Sequence, residues 1–109
     1  MDGEGLRRRR RTLMHRMKYR TRTEIIRDIL KAARSYGNGA GQTQIMYNAF
    51  LSHGQMKEYL TILIDNGLLQ HDLGNQKFRI TEKGLSFLQL YEQIDDLIEK
   101  KEKEQRRRW

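Results

Sequence analysis

The sequence predicts one small domain of the α+β class, mainly α-helical with a small β-hairpin. Four segments place apolar residues at helical spacing, and one segment between the third and the fourth alternates apolar and polar residues with the period of a strand. The 109 residues include no cysteine and no proline. A large enzyme and a disulfide or thiolate zinc framework are therefore excluded, and apolar packing must hold the core together.

Helical structure begins at Thr21, because Thr21-x-x-Glu24 has the spacing of a capping box. Gly37, Gly39 and Gly41 end this first helix. Their glycine-rich stretch follows a helix rather than a strand and lacks the lysine of a phosphate-binding loop, so we interpret it as a linker. The predicted inner face of the helix contains Ile25, Ile26, Ile29, Leu30 and Ala33.

Two further helices follow with a very short break between them. Thr43 is the predicted cap of the second, Ser52-x-x-Gln55 is a capping box for the third at residues 53–66, and Gly67 supplies a left-handed stop. Two amphipathic helices joined by so tight a turn predict a helix-turn-helix. The predicted inner faces contain Ile45, Met46, Ala49 and Phe50 in the second helix and Met56, Tyr59, Leu60 and Leu63 in the third.

The period then changes from helical to alternating. Residues 68–72 and 77–80 flank a Gly74-Asn75 turn and predict a two-stranded hairpin. Three helices followed by such a hairpin form a winged helix-turn-helix, which we assign to residues 21–81.

Thr81 is the predicted cap of a long last helix, about residues 82–105, within a C-terminal segment 82–109 that ends in a basic tail. Leu85 and Leu88 are expected to pack on the winged domain. The other apolar residues recur at spacings of four and three as far as residue 98 and predict a dimer seam. The alternative is that the helix folds back on its own domain. The predicted seam contains Phe87, Leu90, Tyr91, Ile94, Leu97 and Ile98.

The net charge of +8 is concentrated at the two ends of the chain. Residues 1–22 contain nine Lys or Arg and two acidic residues, residues 23–105 contain ten against twelve, and residues 106–108 add three arginines. Segments rich in arginine attract polyanions through many weak, salt-sensitive contacts. The charge distribution therefore favours nucleic acid as a partner.

Residues 1–20 show no stable apolar period, and the five arginines at 7–11 repel one another. We interpret this segment as a flexible basic arm that contacts phosphates or a narrow minor groove. One alternative is a tail without function, and another is a start codon at Met14 or Met17, which leaves a shorter arm. The predicted DNA contacts of the arm are Arg16, Lys18, Arg20 and Arg22.

In a helix-turn-helix motif, the second of its two helices enters the major groove. In this chain that is the third predicted helix, residues 53–66. Glutamine can pair with adenine, lysine with guanine, and the threonine methyl group with thymine. Two acidic residues, Glu58 and Asp65, oppose this assignment because each repels a nearby phosphate. The alternative is an ordinary solvated face on a protein-binding winged helix. The predicted contacts are Gln55, Lys57 and Thr61 for bases and Ser52 and His53 for phosphate.

Lys77 and Arg79 are the predicted DNA contacts of the wing. They alternate with Phe78 and Ile80 on the second strand, so both charges lie on the face opposite the core. A wing contacts the DNA backbone or the minor groove. The alternative is that these two cations only solubilise the strand.

The sequence indicates neither an active site nor a cofactor. His15, His53 and His71 lack the spacing of metal ligands, and Ser52 beside His53 is not a catalytic arrangement because neighbouring residues at a helix start point in different directions. No apolar run is long enough for a signal peptide or a membrane span. We expect a protein that is not an enzyme, without a cofactor, small-molecule ligand or membrane partner, in the cytoplasm and associated with the nucleoid.

Seven short motifs follow one another in a fixed order: Met17-Lys18-Tyr19-Arg20, Thr23-Glu24-Ile25-Ile26, Thr43-Gln44-Ile45-Met46-Tyr47, Leu51-Ser52, Lys57-Glu58-Tyr59-Leu60, Asn66-Gly67-Leu68-Leu69 and Thr81-Glu82-Lys83-Gly84. Over about residues 17–98 the chain resembles small archaeal winged helix-turn-helix proteins, the group of the archaellum regulators and the ten-kilodalton DNA-binding proteins of Sulfolobus. The resemblance implies a winged-helix fold, dimers and DNA binding, with residues 52–61 on the recognition element. The arginines before residue 17 and the charged residues 99–108 depart from the pattern of the group.

The predicted function is that of a transcriptional regulator, a homodimer bound to double-stranded DNA. Three alternatives remain. An architectural chromatin protein would show weak sequence preference, a protein-binding adaptor would have no affinity for duplex DNA at low salt, and an RNA-associated protein would depend mainly on its arm.

Overall fold

The chain folds as three helices, a hairpin and a long fourth helix, as the sequence predicts. The computed structural model describes the backbone of residues 20–107 and the side chains of residues 20–98. The elements are α1 (Arg22–Ser35), α2 (Gln42–Asn48), α3 (His53–Asp65), β1 (Leu69–Asp72), β2 (Lys77–Ile80) and α4 (Glu82–Arg107).

The predicted capping box opens α1. The Glu24 backbone N–H donates to Thr21 Oγ1 at 3.1 Å, and the Thr21 N–H donates to Glu24 Oε1 at 3.3 Å. These bonds satisfy amide donors that the helix itself cannot. The inner face is buried at Ile25, Ile29, Leu30, Ala32 and Ala33, with Ile26 partly buried beside it.

The linker between α1 and α2 contains an element that the sequence analysis missed. The Ala40 N–H donates to the Phe78 carbonyl at 2.9 Å, and the Phe78 N–H donates to the Ala40 carbonyl at 2.8 Å. Ala40 thus forms an isolated β-bridge with Phe78 of β2 and is fully buried. Gly39 precedes it at φ +97°, and a Cβ there would lie 3.0 Å from Arg79 Cγ.

The start of α2 differs from the prediction. The cap is Gly41 rather than Thr43, and Gln44 Oε1 accepts the Gly41 N–H at 2.9 Å. A glutamine three residues after the cap therefore supplies this bond, and Thr43 lies inside the first turn.

The end of α2 also differs at one residue. Ile45 and Ala49 are buried as predicted, but Phe50 is 61% exposed. The helix ends at Asn48 and Phe50 takes a φ of +55°, so its side chain leaves the helical face on which the pattern placed it.

Helix α3 begins and ends as the sequence predicts. The Gln55 N–H donates to Ser52 Oγ at 3.2 Å, and the Ser52 N–H donates to Gln55 Oε1 at 3.1 Å, so the capping box is confirmed. Gly67 follows the helix at φ +72°. The buried side of the helix consists of Met56, Leu60 and Leu63.

The hairpin pairs β1 with β2 antiparallel, from Leu69 opposite Ile80 to Asp72 opposite Lys77. Phe78 is buried, and the ring of His71 stacks on it with the centroids 4.4 Å apart. Cross-strand partners share a face, so the pairs Leu69–Ile80 and His71–Phe78 lie on the side of the wing that faces the helices.

Helix α4 starts from a cap at Thr81, whose Oγ1 accepts the Gly84 N–H at 3.1 Å. Gly84 passes so close to β2 that a Cβ there would lie 2.7 Å from Ile80 Cγ1 and would overlap the carbonyl oxygen of Leu68. Leu88 is fully buried as predicted, whereas Leu85 remains 37% exposed. No helix in the described residues is long and apolar enough to cross a membrane.

Candidate nucleic-acid interface

The side of α3 opposite the core is exposed along its length. Its buried side faces the remainder of the domain, and no other described element covers the outer side. The five predicted contact residues all lie on the exposed surface of α3 and its cap: Ser52, His53, Gln55, Lys57 and Thr61.

The capping box limits what Gln55 can contact. Its Oε1 accepts both the Ser52 N–H at 3.1 Å and the Ser52 hydroxyl at 3.2 Å. A carbonyl oxygen has two lone pairs, so the acceptor that bidentate pairing with adenine needs is already occupied. The side-chain amide nitrogen is the part of Gln55 that can donate to a partner.

Thr61 and Lys57 lie one turn apart on the exposed face. The Thr61 hydroxyl donates to the Lys57 carbonyl at 3.0 Å, which commits its hydrogen within the helix and leaves the methyl group for apolar contact. Glu58 and Asp65 are exposed as well. The outer face of α3 therefore combines one cation with two carboxylates and is not a generally basic surface.

The two cations of the wing lie on the face of β2 away from the core, as predicted. Arg79 donates to Asp72 Oδ2 at 3.3 Å, and half of its side chain remains exposed. Lys77 is partly buried beside it. Part of the positive charge of the wing is thus neutralised by a neighbour on the adjacent strand.

Asp72 is also the hydrogen-bond acceptor of the wing tip. Its carboxylate accepts the Asn75 side-chain amide at 3.0 Å and the backbone N–H groups of Gly74 and Asn75 at 3.1 and 3.3 Å. The Asn75 side chain contributes most to lowering the pKa of Asp72, followed by the Asn75 backbone N–H. Desolvation opposes these two contributions, and the charge of Arg79 and the Gly74 backbone N–H lower the pKa further by smaller amounts.

The predicted arm residues fall into three groups. Arg16 and Lys18 lie outside the described residues, and Arg22 is exposed in the first turn of α1. Arg20 differs from the prediction, because only 9% of its side chain is exposed and its guanidinium is committed to the protein. We therefore no longer assign Arg20 as a DNA contact.

Arg20 joins the start of α1 to the corner between α2 and α3. Its Nη1 lies 2.6 Å from Asp28 Oδ2 and donates to the Ala49 carbonyl at 2.7 Å, and its Nη2 donates to the Phe50 carbonyl at 3.0 Å. The sequence carries no signal for these contacts, since the two carbonyls come from residues about thirty positions away.

Arg27 is a second arginine that sequence reasoning missed. Its guanidinium lies 5.0 Å from the centroid of the Tyr91 ring and donates to the Tyr91 hydroxyl at 3.1 Å and to Asp28 at 2.8 Å. Burial acts to lower the pKa of Arg27, but the hydrogen bond and charge of Asp28, with smaller contributions from Tyr91 and Glu24, raise it overall. This contact fixes α4 against α1.

The predicted dimer seam divides into two parts. Phe87 packs against the core and Tyr91 is partly buried beside Arg27, so both serve their own domain. The remaining apolar residues form an exposed surface that we call the α4 stripe. The α4 stripe consists of Leu90, Ile94, Leu97 and Ile98, which are 61%, 59%, 67% and 53% exposed.

The described histidines do not converge on a metal site. His53 is exposed in the first turn of α3, and His71 is stacked on Phe78. Within residues 20–98, no group of three or more His, Cys, Asp or Glu side chains could hold a metal ion.

A family model described as winged helix-turn-helix matches residues 19–99, well over half of the chain. The chain belongs to the winged helix-turn-helix family. This winged helix-turn-helix protein is similar in structure to Sso10a-2, a DNA-binding protein from Sulfolobus solfataricus, with a TM-score of 0.64 and 25% sequence identity over 81% of this chain and 92% of that chain. No curated protein matches it in sequence. The predicted resemblance and fold class are confirmed.

Proposed function

We propose that the protein binds double-stranded DNA and acts as a transcriptional regulator, with α3 as the recognition helix in the major groove. The observation that carries this proposal is the uncovered outer face of α3, which presents Lys57 and Thr61 on a helix that the core holds from behind. The similarity to a DNA-binding protein supports duplex DNA as the partner.

The charges of α3 favour a regulator over an architectural chromatin protein. A protein that coats DNA without sequence preference relies on cations that neutralise phosphates. The outer face of α3 offers one lysine and two carboxylates, Glu58 and Asp65, which are unfavourable next to most backbone positions. Such a face gains affinity only where the bases offer matching partners. Binding by base contacts needs neither an enzymatic step nor a cofactor.

The α4 stripe supports a homodimer. Its residues recur at spacings of four, three and one, and at about 100° per residue its centre lies about 130° around the helix from the buried Leu88. The stripe therefore points away from Leu88, and Phe87 and Tyr91, which contact the winged domain, border it on one side. A second copy of α4 would cover it and would place two recognition helices on one duplex. We place this dimer in the cytoplasm, associated with the nucleoid.

Titration of a short mixed-sequence duplex tests the proposal, with fluorescence anisotropy at about 50 mM and about 200 mM salt. The protein is expected to bind at the lower salt and to lose affinity at the higher. Lys57→Ala should weaken binding, whereas Lys31→Ala, on the exposed side of α1, should not. No duplex binding at low salt would indicate a protein-binding adaptor. Binding to RNA that is abolished by deleting residues 1–16, without a sequence-specific duplex contact by α3, would indicate an RNA-associated protein.

Genome-wide recovery of bound DNA separates the regulator from the chromatin protein. Sharp peaks are expected at a limited number of sites. Even coverage of the genome would contradict the regulator and favour the architectural role.

A further inference from the structure

Helix α4 leaves the winged domain at a defined point. Gly84 passes close to the Leu68 carbonyl, Leu88 is fully buried, and Tyr91 and Glu92 are partly buried. From residue 93 to residue 98 every side chain is exposed. The contacts of Tyr91 and Glu92 are therefore the last that the structure describes between α4 and its own domain.

Two arginines of α1 make these last contacts. Arg27 donates to the Tyr91 hydroxyl at 3.1 Å and lies 5.0 Å from the centroid of its ring, and Arg34 Nη2 donates to Glu92 Oε1 at 3.1 Å. The two arginines are two turns apart, about 10 Å along α1, whereas their partners are adjacent on α4. Helices α1 and α4 therefore cross here, and Arg27 and Arg34 hold α4 from opposite directions along α1.

The two contacts differ in strength. The Arg27 side chain is 20% exposed, and its Nε donates to Asp28 Oδ1 at 2.8 Å, which orients the guanidinium. Arg34 and Glu92 are 42% and 43% exposed, so salt screens this ion pair and it contributes little stability. Arg27 is thus the main contact, and Arg34 restricts movement in the opposite direction.

The length over which α4 is held decides how far it can swing. Contacts at Gly84 and Leu88 alone hold about 6 Å of the helix, and contacts that continue to Glu92 hold about 12 Å. A thermal displacement of about 0.5 Å per axis then allows an angle of about 5° in the first case and about half of that in the second.

In a dimer joined through the α4 stripe, this angle sets the distance between the two recognition helices. Half-sites one helical turn apart lie about 35 Å from each other, and one base pair spans about 3.4 Å. An arm of that length moves its end by about one base pair when it rotates by about 6°. Because the swings of two protomers combine, an α4 held only at Gly84 and Leu88 would tolerate half-sites displaced by a base pair.

We propose that Arg27 and Arg34 are positioning residues that fix the angle between α4 and the winged domain, so that the dimer accepts one spacing of its two half-sites on DNA. This inference rests on the proposed function. The two arginines then determine specificity through α4, whereas α3 reads the bases.

The absence of cysteine from the chain allows one label per protomer. A spin label on Asp65→Cys, at the exposed end of α3, measures the distance between the two recognition helices by double electron–electron resonance. The labelled protein is expected to give one narrow distance distribution. Arg27→Ala combined with Arg34→Ala should broaden or shift it by several ångströms, whereas Lys31→Ala, which removes an exposed cation from α1, should leave it unchanged.

An exchange of charges separates positioning from a general loss of stability. Arg34→Glu should broaden the distribution, because it places two carboxylates together, and Glu92→Arg in the same chain should restore the narrow one. Tyr91→Phe keeps the ring but not the hydroxyl, so it should broaden the distribution less and serves where Arg27→Ala unfolds. On duplexes with two half-sites, the double alanine variant should lose the several-fold preference of the unsubstituted protein for one spacing.

An unchanged distance distribution in a dimeric protein with both alanine substitutions would overturn this inference and leave the proposed function intact. Where that protein unfolds, unchanged distributions in Tyr91→Phe and Arg34→Glu would do the same. A monomeric mass without a dipolar signal in the otherwise unsubstituted protein would instead contradict the proposed homodimer.

Discussion

At the scale of single residues, Asp72 determines how the wing tip depends on pH. Its pKa lies below the ordinary value of 3.8, first because the Asn75 side chain donates to the ionised form. A lowered folded-state pKa means that the carboxylate stabilises the fold above pH 3.8 and that this contribution is lost as the pH falls through the lowered value.

Asn75→Ala should therefore raise the pKa of Asp72 back toward 3.8, because the largest lowering contribution is removed. NMR titration of the carboxyl group measures this change. Asn38→Ala, an exposed substitution in the linker, is the control and should leave the titration in place. An Asp72 that titrates at its ordinary pKa in the unsubstituted protein would contradict the described tip.

Gly84 provides a second test at the same scale. In a helix interior, alanine is normally more favourable than glycine by about 1 kcal/mol. At Gly84 its Cβ would overlap the Leu68 carbonyl oxygen and lie 2.7 Å from Ile80 Cγ1, so Gly84→Ala should lower the free energy of unfolding by about 1–3 kcal/mol.

Urea denaturation measures the free energy of unfolding of Gly84→Ala and of a control variant, Gly54→Ala. Gly54→Ala in α3 is the matched control, since nothing lies within 4 Å of a Cβ there and the change should be neutral or stabilising. Equal effects of the two substitutions would show that α4 does not approach β2 as described.

Residue-scale roles were the least predictable from the sequence. Gln55 fits both a capping box and a base contact by its position, and only the bond from the Ser52 hydroxyl shows that its oxygen is saturated. Arg20 stands in a basic run, and its acceptors at Ala49 and Phe50 are brought to it by the folded chain. Patterns within a few residues contain no information on such distant partners.

At the scale of elements, the sequence predicts the ends of helices correctly where the residues that determine them lie close together in the chain. The capping boxes at Thr21 and Ser52 and the stop at Gly67 depend on residues within four positions, and the structure confirms them. Phe50 is wrongly predicted on the inner face of α2, because the helical spacing of apolar residues continues past Asn48, where the helix ends. Ala40 was missed because an isolated bridge of one residue pair has no period.

The α4 stripe yields the element-scale prediction. Ile94→Asp combined with Leu97→Asp should convert the proposed dimer to a monomer, because four carboxylates would be buried in the interface of two copies. Sedimentation equilibrium measures the mass.

Gln89→Asp, exposed on the side of α4 away from the stripe, is the control and should remain dimeric. A monomeric mass for the unsubstituted protein, or a dimer that tolerates both stripe substitutions, would exclude this surface as the interface.

At the scale of the whole molecule, we propose that different parts of the chain supply affinity for DNA and sequence specificity. The described winged domain is nearly neutral and presents a face of mixed charge on α3, while most of the positive charge lies toward the ends of the chain. Phosphate contacts from the ends would supply affinity that falls with salt, and base contacts from α3 would supply sequence preference. The fold class follows from the periodicity and the helix caps in the sequence. The division of roles does not, because it depends on which Lys and Arg side chains form ion pairs within the protein and which remain available for DNA.

Selection of bound duplexes from a random-sequence pool tests the central claim most directly. The unsubstituted protein should recover a defined motif, and Lys57→Ala with Thr61→Ala should lose preference at the contacted positions, where a good base contact contributes about 1–3 kcal/mol of discrimination. Lys77→Ala in the wing should reduce affinity and leave the motif unchanged. A motif that survives the loss of both Lys57 and Thr61 would show that α3 does not determine the sequence preference.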